Sequence, residues 1–290
     1  MNITSLRIIG KRLRQEIPLL IGQPDAGSPL GKGASGDLTY PIDKKAEEII
    51  FEEIEKLNKP LTIVSEEYGF KDIKGGGIKF LIDPIDGSKN AMTGVPLFST
   101  SIAIVEGETI KYTSIGYVIN LISGDEFWAI KGDGSFLNGK PIKTQQDESF
   151  NVITYEAQTP KVDIPRIIPL LSLFRRARCL GSTAIDMALL AQGGVSMFVT
   201  PTPSRSFDFA AGYLLIKEAG GIITDLNGEK IDEIHVGIKK ATPLLASANE
   251  KLHRKALEVL KGVKGSRILV LNCISSISVI PAGIKRVYDS

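Results

Sequence analysis

The sequence predicts a layered fold of two units, an α+β unit built on an antiparallel sheet and then an α/β unit. Three observations predict it. Residues 1–147 carry short β-rich runs separated by glycine turns, after two helical segments. A polar stretch at 144–149 marks a change of pattern, and the remainder, 148–290, alternates strands with helices. At 290 residues, with 43% hydrophobic and 23% charged, the chain is long enough for two packed cores and is not compositionally biased.

The amino-terminal helix breaks its apolar pairs with Arg or Lys. It lacks an apolar run ending in a small-residue cleavage site, so no export signal is read and a cytoplasmic setting is expected. Residues 43–58 place Ala46, Ile49, Ile50, Ile54 and Leu57 at helical spacing, with charges between them. The runs 61–64 and 78–82 are β-rich, and each leads directly into carboxylates, so acids gather at strand ends. Runs at 98–105, 112–119 and 126–130 predict an antiparallel meander, and the glycines of 132–139 predict hairpin turns. In the second unit helices are expected at 164–174, 183–192, 208–219 and 249–260. The apolar stretch 268–280 contains Asn272 and serines, is too short to span a bilayer, and reads as one or two buried strands.

Composition narrows the chemistry. A net charge of +2 disfavours a nucleic-acid scaffold. Cys179 and Cys273 cannot form a disulfide framework or a four-thiolate zinc site, and are expected as core thiols of a reducing compartment. His235 and His253 leave little room for a histidine-rich metal site or a Ser-His relay. Catalysis is therefore expected to run on carboxylates.

Glu66 and Glu67 end one strand, while Asp83, Asp86 and Ser88 lie in DPIDGS at the end of another. Like charges packed together raise each other's pKa, so such a cluster needs a cation. A small set of hard oxygen donors suits Mg²⁺, which keeps several waters for a phosphate to replace. Read alone, D-P-x-D-G is equally a turn. A second constellation, SFDFAAG at 206–212, starts a helix with Asp208 and follows it with small residues that permit close backbone approach. By itself Asp208 reads as a helix-start residue. GKGASG at 31–36 fits G-x-G-x-x-G, but no β-run precedes it and no apolar helical repeat follows, so a dinucleotide fold is rejected.

Taken together, the two constellations resemble the signatures D-P-[IL]-D-[GS]-[ST] and W-D-x-[AS]-[AG]-[GAV] of the inositol monophosphatase-like superfamily. That group includes inositol monophosphatases, archaeal-type fructose-1,6-bisphosphatases and 3′-phosphoadenosine nucleotidases. Further matches are Asp43 ahead of a helix, SEE at 65–67, GSFLNGKPI at 134–142 and GSTAIDMALLAQG at 181–193, and the resemblance spans residues 38–249. It implies a five-layer αβαβα sugar-phosphatase fold and a Mg²⁺-dependent phosphomonoesterase acting on a small sugar or inositol phosphate. A homodimer with no nucleic-acid or membrane partner is also implied.

The resemblance places Glu66, Asp83 and the Ile85 carbonyl around one Mg²⁺, and Asp83, Asp86 and Asp208 around a second. A third, weaker ion is placed beside Glu66. Ser88 and Asp43 would orient and deprotonate the attacking water, with Glu66 in the same catalytic group. Gly87 and Ser88, with Gly181, Ser182 and Thr183, would bind phosphate and substrate, and Glu67 would support the ligands from behind. A 3′-phosphoadenosine 5′-phosphate nucleotidase, or a catalytically silent sugar-phosphate-binding regulator, stays open as an alternative.

Four departures from the family pattern carry expectations of their own. Phe207 replaces the signature tryptophan, with an effect on packing only. Ser35 precedes Gly36 where archaeal members often carry an acid; either Asp37 compensates or the third ion is weaker. Pro201 stands where inositol-specific members have a hydroxyl-binding acid. Arg205, three residues before Asp208, is expected to hold a second phosphate, and Arg175, Arg176 and Arg178 either help or form a solvated face.

Overall fold

All seven residues of the strand Ser99–Val105 are buried, because both faces of its sheet are covered. Ile102 and Ile104 join one apolar cluster while Ala103 and Val105 join another, the two-residue period of a pleated strand. Phe80, Leu81 and Ile82 alternate in the same way. The computed structural model describes residues 2–22 and 27–265. Cys273 and the expected strands at 268–280 lie outside the described residues.

The chain begins with α1 (Ile3–Glu16), the two-residue strands β1 (Gly31–Lys32) and β2 (Leu38–Thr39), and α2 (Pro41–Glu55). There follow β3 (Leu61–Ser65), β4 (Gly69–Ile73), β5 (Ile78–Asp86), the short helix α3 (Ser88–Thr93), β6 (Ser99–Val105), β7 (Thr113–Asn120), β8 (Glu126–Ile130), β9 (Gly134–Leu137) and β10 (Lys140–Ile142). These make an eight-stranded sheet in the order β10-β9-β8-β7-β6-β5-β3-β4. Only β3 and β5 run parallel, and the expected meander is the antiparallel run β6-β7-β8. The second half supplies β11 (Val152–Tyr155), α4 (Pro160–Leu171), β12 (Arg176–Arg178), α5 (Thr183–Ala191), β13 (Met197–Arg205), α6 (Ser206–Glu218), β14 (Ile222–Thr224), β15 (Lys240–Ser247) and α7 (Glu250–Gly265). Its five-stranded sheet runs β12-β11-β13-β15-β14.

Five layers result. Helices α1 and α2 bury Leu6, Ile9, Leu13, Ile49 and Ile50 against one face of the large sheet. Between the two sheets lie α5 and α6, packed on Val64, Leu81 and Val118 from one side and Phe198, Leu244 and Ala246 from the other. Helices α4 and α7 cover the outer face of the small sheet through Ile167, Leu170, Leu252 and Ala256. Helix α6 is buried on nearly every side, which explains why its apolar residues show no helical stripe. Its close seat depends on Gly116 of β7, where an added Cβ would stand 2.6 Å from the Ala211 carbonyl oxygen.

The structure departs from expectation at three places. Helix α4 starts four residues earlier than the predicted 164, because Pro160 occupies its first turn and Asp163 accepts the Thr159 N–H at 2.7 Å. Strand β4 was not anticipated; as the sheet's edge it tolerates the exposed Asp72 and Phe70. Cys179 is exposed rather than a core thiol, since it follows the exposed edge strand β12.

Candidate active site

The parallel pair β3 and β5 brings two acidic turns together at their carboxyl ends. Glu66 and Glu67 follow β3; Asp83 and Asp86 lie in the last turn of β5, where pairing with β6 is interrupted between them. From the other side, α2 contributes Asp43 and α6 contributes Asp208. Asp43 is 2% exposed and Asp83 4%, while Glu66, Asp86 and Asp208 are partly buried. The predicted carboxylates, Glu67 among them, thus converge from four elements.

Asp43 is held at both oxygens. Oδ2 accepts the Tyr40 N–H at 2.8 Å, and Oδ1 accepts the Ser88 hydroxyl at 2.7 Å. The Ile85 carbonyl also lies 2.9 Å from Ser88 Oγ. One hydroxyl proton cannot serve both acceptors fully, so Ser88 can turn between the base and the carbonyl. Burial pushes Asp43 up to about 6, against the lowering effect of the Ser88 and Tyr40 hydrogen bonds.

Asp86 is fixed by the start of α5. Its Oδ2 accepts the Ser182 hydroxyl and the Ala184 N–H, both at 2.6 Å. These donors favour the charged form, yet burial holds the group above the ordinary carboxylate range. Ser182, expected on the substrate, is therefore engaged with Asp86, and the Gly181 N–H is taken by Glu156 at 2.8 Å. Thr183 shares the same helix start. Gly87, left-handed at φ 97°, packs so closely on this turn that a Cβ would lie 2.9 Å from the Gly181 carbonyl oxygen.

Burial, then neighbouring acids, hold Glu66 and Asp83 well above the usual carboxylate range, and burial raises Asp208 to about 7. Asp83 Oδ1 is buried without a hydrogen-bond donor. Among the described residues no three acidic, His or Cys side chains are already closed into a metal cage. The donor chemistry nevertheless fits a hard divalent cation: carboxylate oxygens, a backbone carbonyl and a buried unpaired oxygen, with a surplus of negative charge to neutralise.

Glu67 accepts the Thr39 hydroxyl, and burial raises it to about 7. Sequence reasoning missed Glu47, which lies one turn beyond Asp43 and is 9% exposed. It accepts the Tyr68 N–H at 3.0 Å and the Ser65 hydroxyl, and so secures the Glu66–Glu67 turn. Its only signal was the i,i+4 spacing from Asp43.

Arg205 already has protein partners. Its guanidinium, expected to await a second phosphate, pairs with Asp37 at 2.8 Å and donates to the Ser35 carbonyl at 3.1 Å. The residue is 6% exposed. Asp37 is therefore paired with Arg205. The guanidinium also sits 6.0 Å above the ring of Phe207, itself core as expected. Arg175, Arg176 and Arg178 are exposed.

A model of the inositol monophosphatase family matches residues 1–263. The chain is 33% identical to a fructose-1,6-bisphosphatase/inositol-1-monophosphatase of Methanothermobacter thermautotrophicus over 87% of this chain and 94% of that protein. It is 31% identical to a bifunctional NADP phosphatase/NAD kinase of Methanococcus maripaludis, over 89% of this chain and 48% of that protein. A solved inositol monophosphatase-fructose 1,6-bisphosphatase superposes with a TM-score of 0.78 at 28% identity, covering 91% of this chain and all of the other. With the acids of DPIDGS, the Asp43–Ser88 pair and the five layers in place, the chain belongs to the inositol monophosphatase family and is a phosphatase by that membership.

Proposed function

We propose that the protein is a Mg²⁺-dependent phosphomonoesterase that hydrolyses a small sugar or inositol phosphate by direct attack of water. The observation that carries this reading is the Ser88–Asp43 hydrogen bond at 2.7 Å beside a dense cluster of buried and partly buried acids. Glu66, Asp83, the Ile85 carbonyl, Asp86 and Asp208 would hold two or three Mg²⁺ ions, with Glu67 behind them. Bound there, a divalent cation supplies charge neutralisation and polarisation of the phosphate oxygens.

The chain's own part is positional and basic. N–H groups of Gly87 and Ser88, at the turn into α3, bind phosphate oxygens, with the Gly181–Thr183 turn closing the side occupied by Asp86. Ser88 orients the attacking water and passes its proton to Asp43, whose raised pKa suits a base working near neutrality. As the oxygen–phosphorus bond forms, the ester P–O bond breaks on the opposite side and the leaving oxygen takes up a proton from water, so no phosphoenzyme is needed. A homodimer and a cytoplasmic setting belong to the same reading. Among the described residues no helix is long and apolar enough to cross a membrane.

Phosphate release with Mg²⁺ tests the reading on inositol 1-phosphate, fructose 1,6-bisphosphate, 3′-phosphoadenosine 5′-phosphate and NADP. Turnover of either of the first two supports it. Preference for the third or fourth moves the substrate to a nucleotide. No release from any of them by folded, Mg²⁺-loaded protein would favour the catalytically silent regulator.

A further inference from the structure

Beside the acidic cluster lies a second pair of acids that the mechanism does not use. Glu156 follows β11 and is partly buried; Asp186, in α5, is fully buried. No donor N–H or O–H reaches either Asp186 oxygen in good geometry. Its polar neighbours are the Glu156 carboxyl group and the Thr154 hydroxyl. Two buried carboxylates in contact cannot both be charged. Burial, followed by the partner's charge for Asp186 and by Asp86 for Glu156, raises both above the ordinary range. Neutralising one of the two removes their repulsion, and leaves a Glu156 oxygen for the backbone.

That oxygen, Oε1, accepts the Gly181 N–H at 2.8 Å. The turn it holds is pinned on its other side by Asn90, whose Nδ2 donates to the Leu180 and Leu97 carbonyls, each at 2.7 Å. The next residues, Ser182 and Ala184, provide both short hydrogen bonds to Asp86. A continuous path thus runs from Asp186 through Glu156 and the Gly181 turn to Asp86.

We propose that Glu156, seated against Asp186, is a positioning residue for Asp86: by accepting the Gly181 N–H it sets the turn whose hydroxyl and N–H aim that carboxylate. The inference rests on Asp86 being a cation ligand of the proposed phosphatase site. Groups that orient a ligand from behind are typically worth 10- to 100-fold in metal affinity or activity.

The test compares Glu156→Ala, Glu156→Gln and Glu156→Asp with the full-length wild type, reading free Mn²⁺ by EPR and kcat and KM with Mg²⁺. Glu156→Ala removes the acceptor and should weaken Mn²⁺ binding and lower kcat, each by about 10-fold or more, with little change in KM. Glu156→Gln keeps an acceptor for Gly181 and should recover both to within about three-fold of wild type. If Glu156→Ala fails to fold, Glu156→Asp, which withdraws the acceptor by one methylene, should show the same losses. A folded alanine or aspartate variant with wild-type Mn²⁺ binding and kcat would overturn the inference, as would an equal loss in Glu156→Gln. Wild-type protein that neither binds Mn²⁺ nor releases phosphate would overturn the underlying function instead.

Discussion

Asp43 and Asp208 occupy the same position in two unrelated helices. Each is the third residue of its helix, and each accepts the N–H of the residue three places earlier: Tyr40 at 2.8 Å and Arg205 at 2.7 Å. The helix start that stabilises an acid thereby also fixes its direction. The two differ at the remaining oxygen, where Asp43 meets the Ser88 hydroxyl. In the proposed mechanism this difference is what would make Asp43 a base and Asp208 a ligand.

Asp43→Asn should preserve the fold while lowering kcat by at least about 10²-fold, because an amide can still accept the Tyr40 N–H but cannot take a proton. Ser88→Ala should lower kcat with little change in KM, since orienting the nucleophile is chiefly a transition-state effect. Steady-state kinetics beside a thermal melt check both. An effect of Ser88→Ala confined to KM would reassign Ser88 to phosphate binding alone.

The Arg205–Asp37 pair calls for a double-mutant cycle. If the guanidinium serves to hold the Ser35–Asp37 loop, Arg205→Ala and Asp37→Ala should impair turnover alike, on monophosphate and bisphosphate. Their effects should not add. The expected coupling is about 1 kcal/mol in kcat/KM, modest because Asp37 is largely exposed. A ten-fold rise in KM for fructose 1,6-bisphosphate alone, seen with Arg205→Ala but not Asp37→Ala, would support the second-phosphate role.

What the sequence disclosed and what it hid follow a physical division. Asp83, Asp86 and Ser88 were legible because one local turn carries them, and Asp208 because its helix start leaves a signature. The strand runs were legible because both sheet faces are covered and their apolar stretches are continuous. Glu47 was hidden because a glutamate on an amphipathic helix looks solvated, and its partners Ser65 and Tyr68 come from another element. The fate of Arg205 was hidden for the same reason: its neighbour Asp208 is local, but Asp37 is brought by the fold. Helix α4 was misplaced at its start because Pro160 looks like a break, although a helix tolerates proline in its first turn.

Gly116 links packing to the site. Substitution by Ala would force a Cβ to 2.6 Å from the Ala211 carbonyl oxygen and 3.0 Å from its Cα, both backbone atoms that cannot rotate away. Gly116→Ala should therefore cost about 1 to 3 kcal/mol in a denaturant titration. It should also disturb turnover, since α6 carries Asp208. A variant as stable as wild type would mean that α6 can shift off β7 without cost.

Removing the metal should reveal the cluster's stored repulsion as a pH effect on stability. Asp43 is raised to about 6 and Asp208 to about 7, both chiefly by burial, and Glu66 and Asp83 are held well above their usual range. An acid whose folded pKa is raised binds its proton more tightly in the folded state than in the unfolded chain. Its contribution is thus fully present below about pH 4 and is lost as pH rises through about 6 to 7. In chelator, the melting temperature should fall between pH 5 and pH 8 by about 5 °C or more, equivalent to ~2 kcal/mol for a chain of this size. Mg²⁺ should stabilise the protein more at pH 8 than at pH 5, because only the ionised acids bind it. Melting curves at both pH values, with and without Mg²⁺, measure the two effects together. A chelated protein whose stability rises across that range, with no added gain from Mg²⁺ at the higher pH, would remove the acids of 66, 83 and 208 from the role of cation ligands.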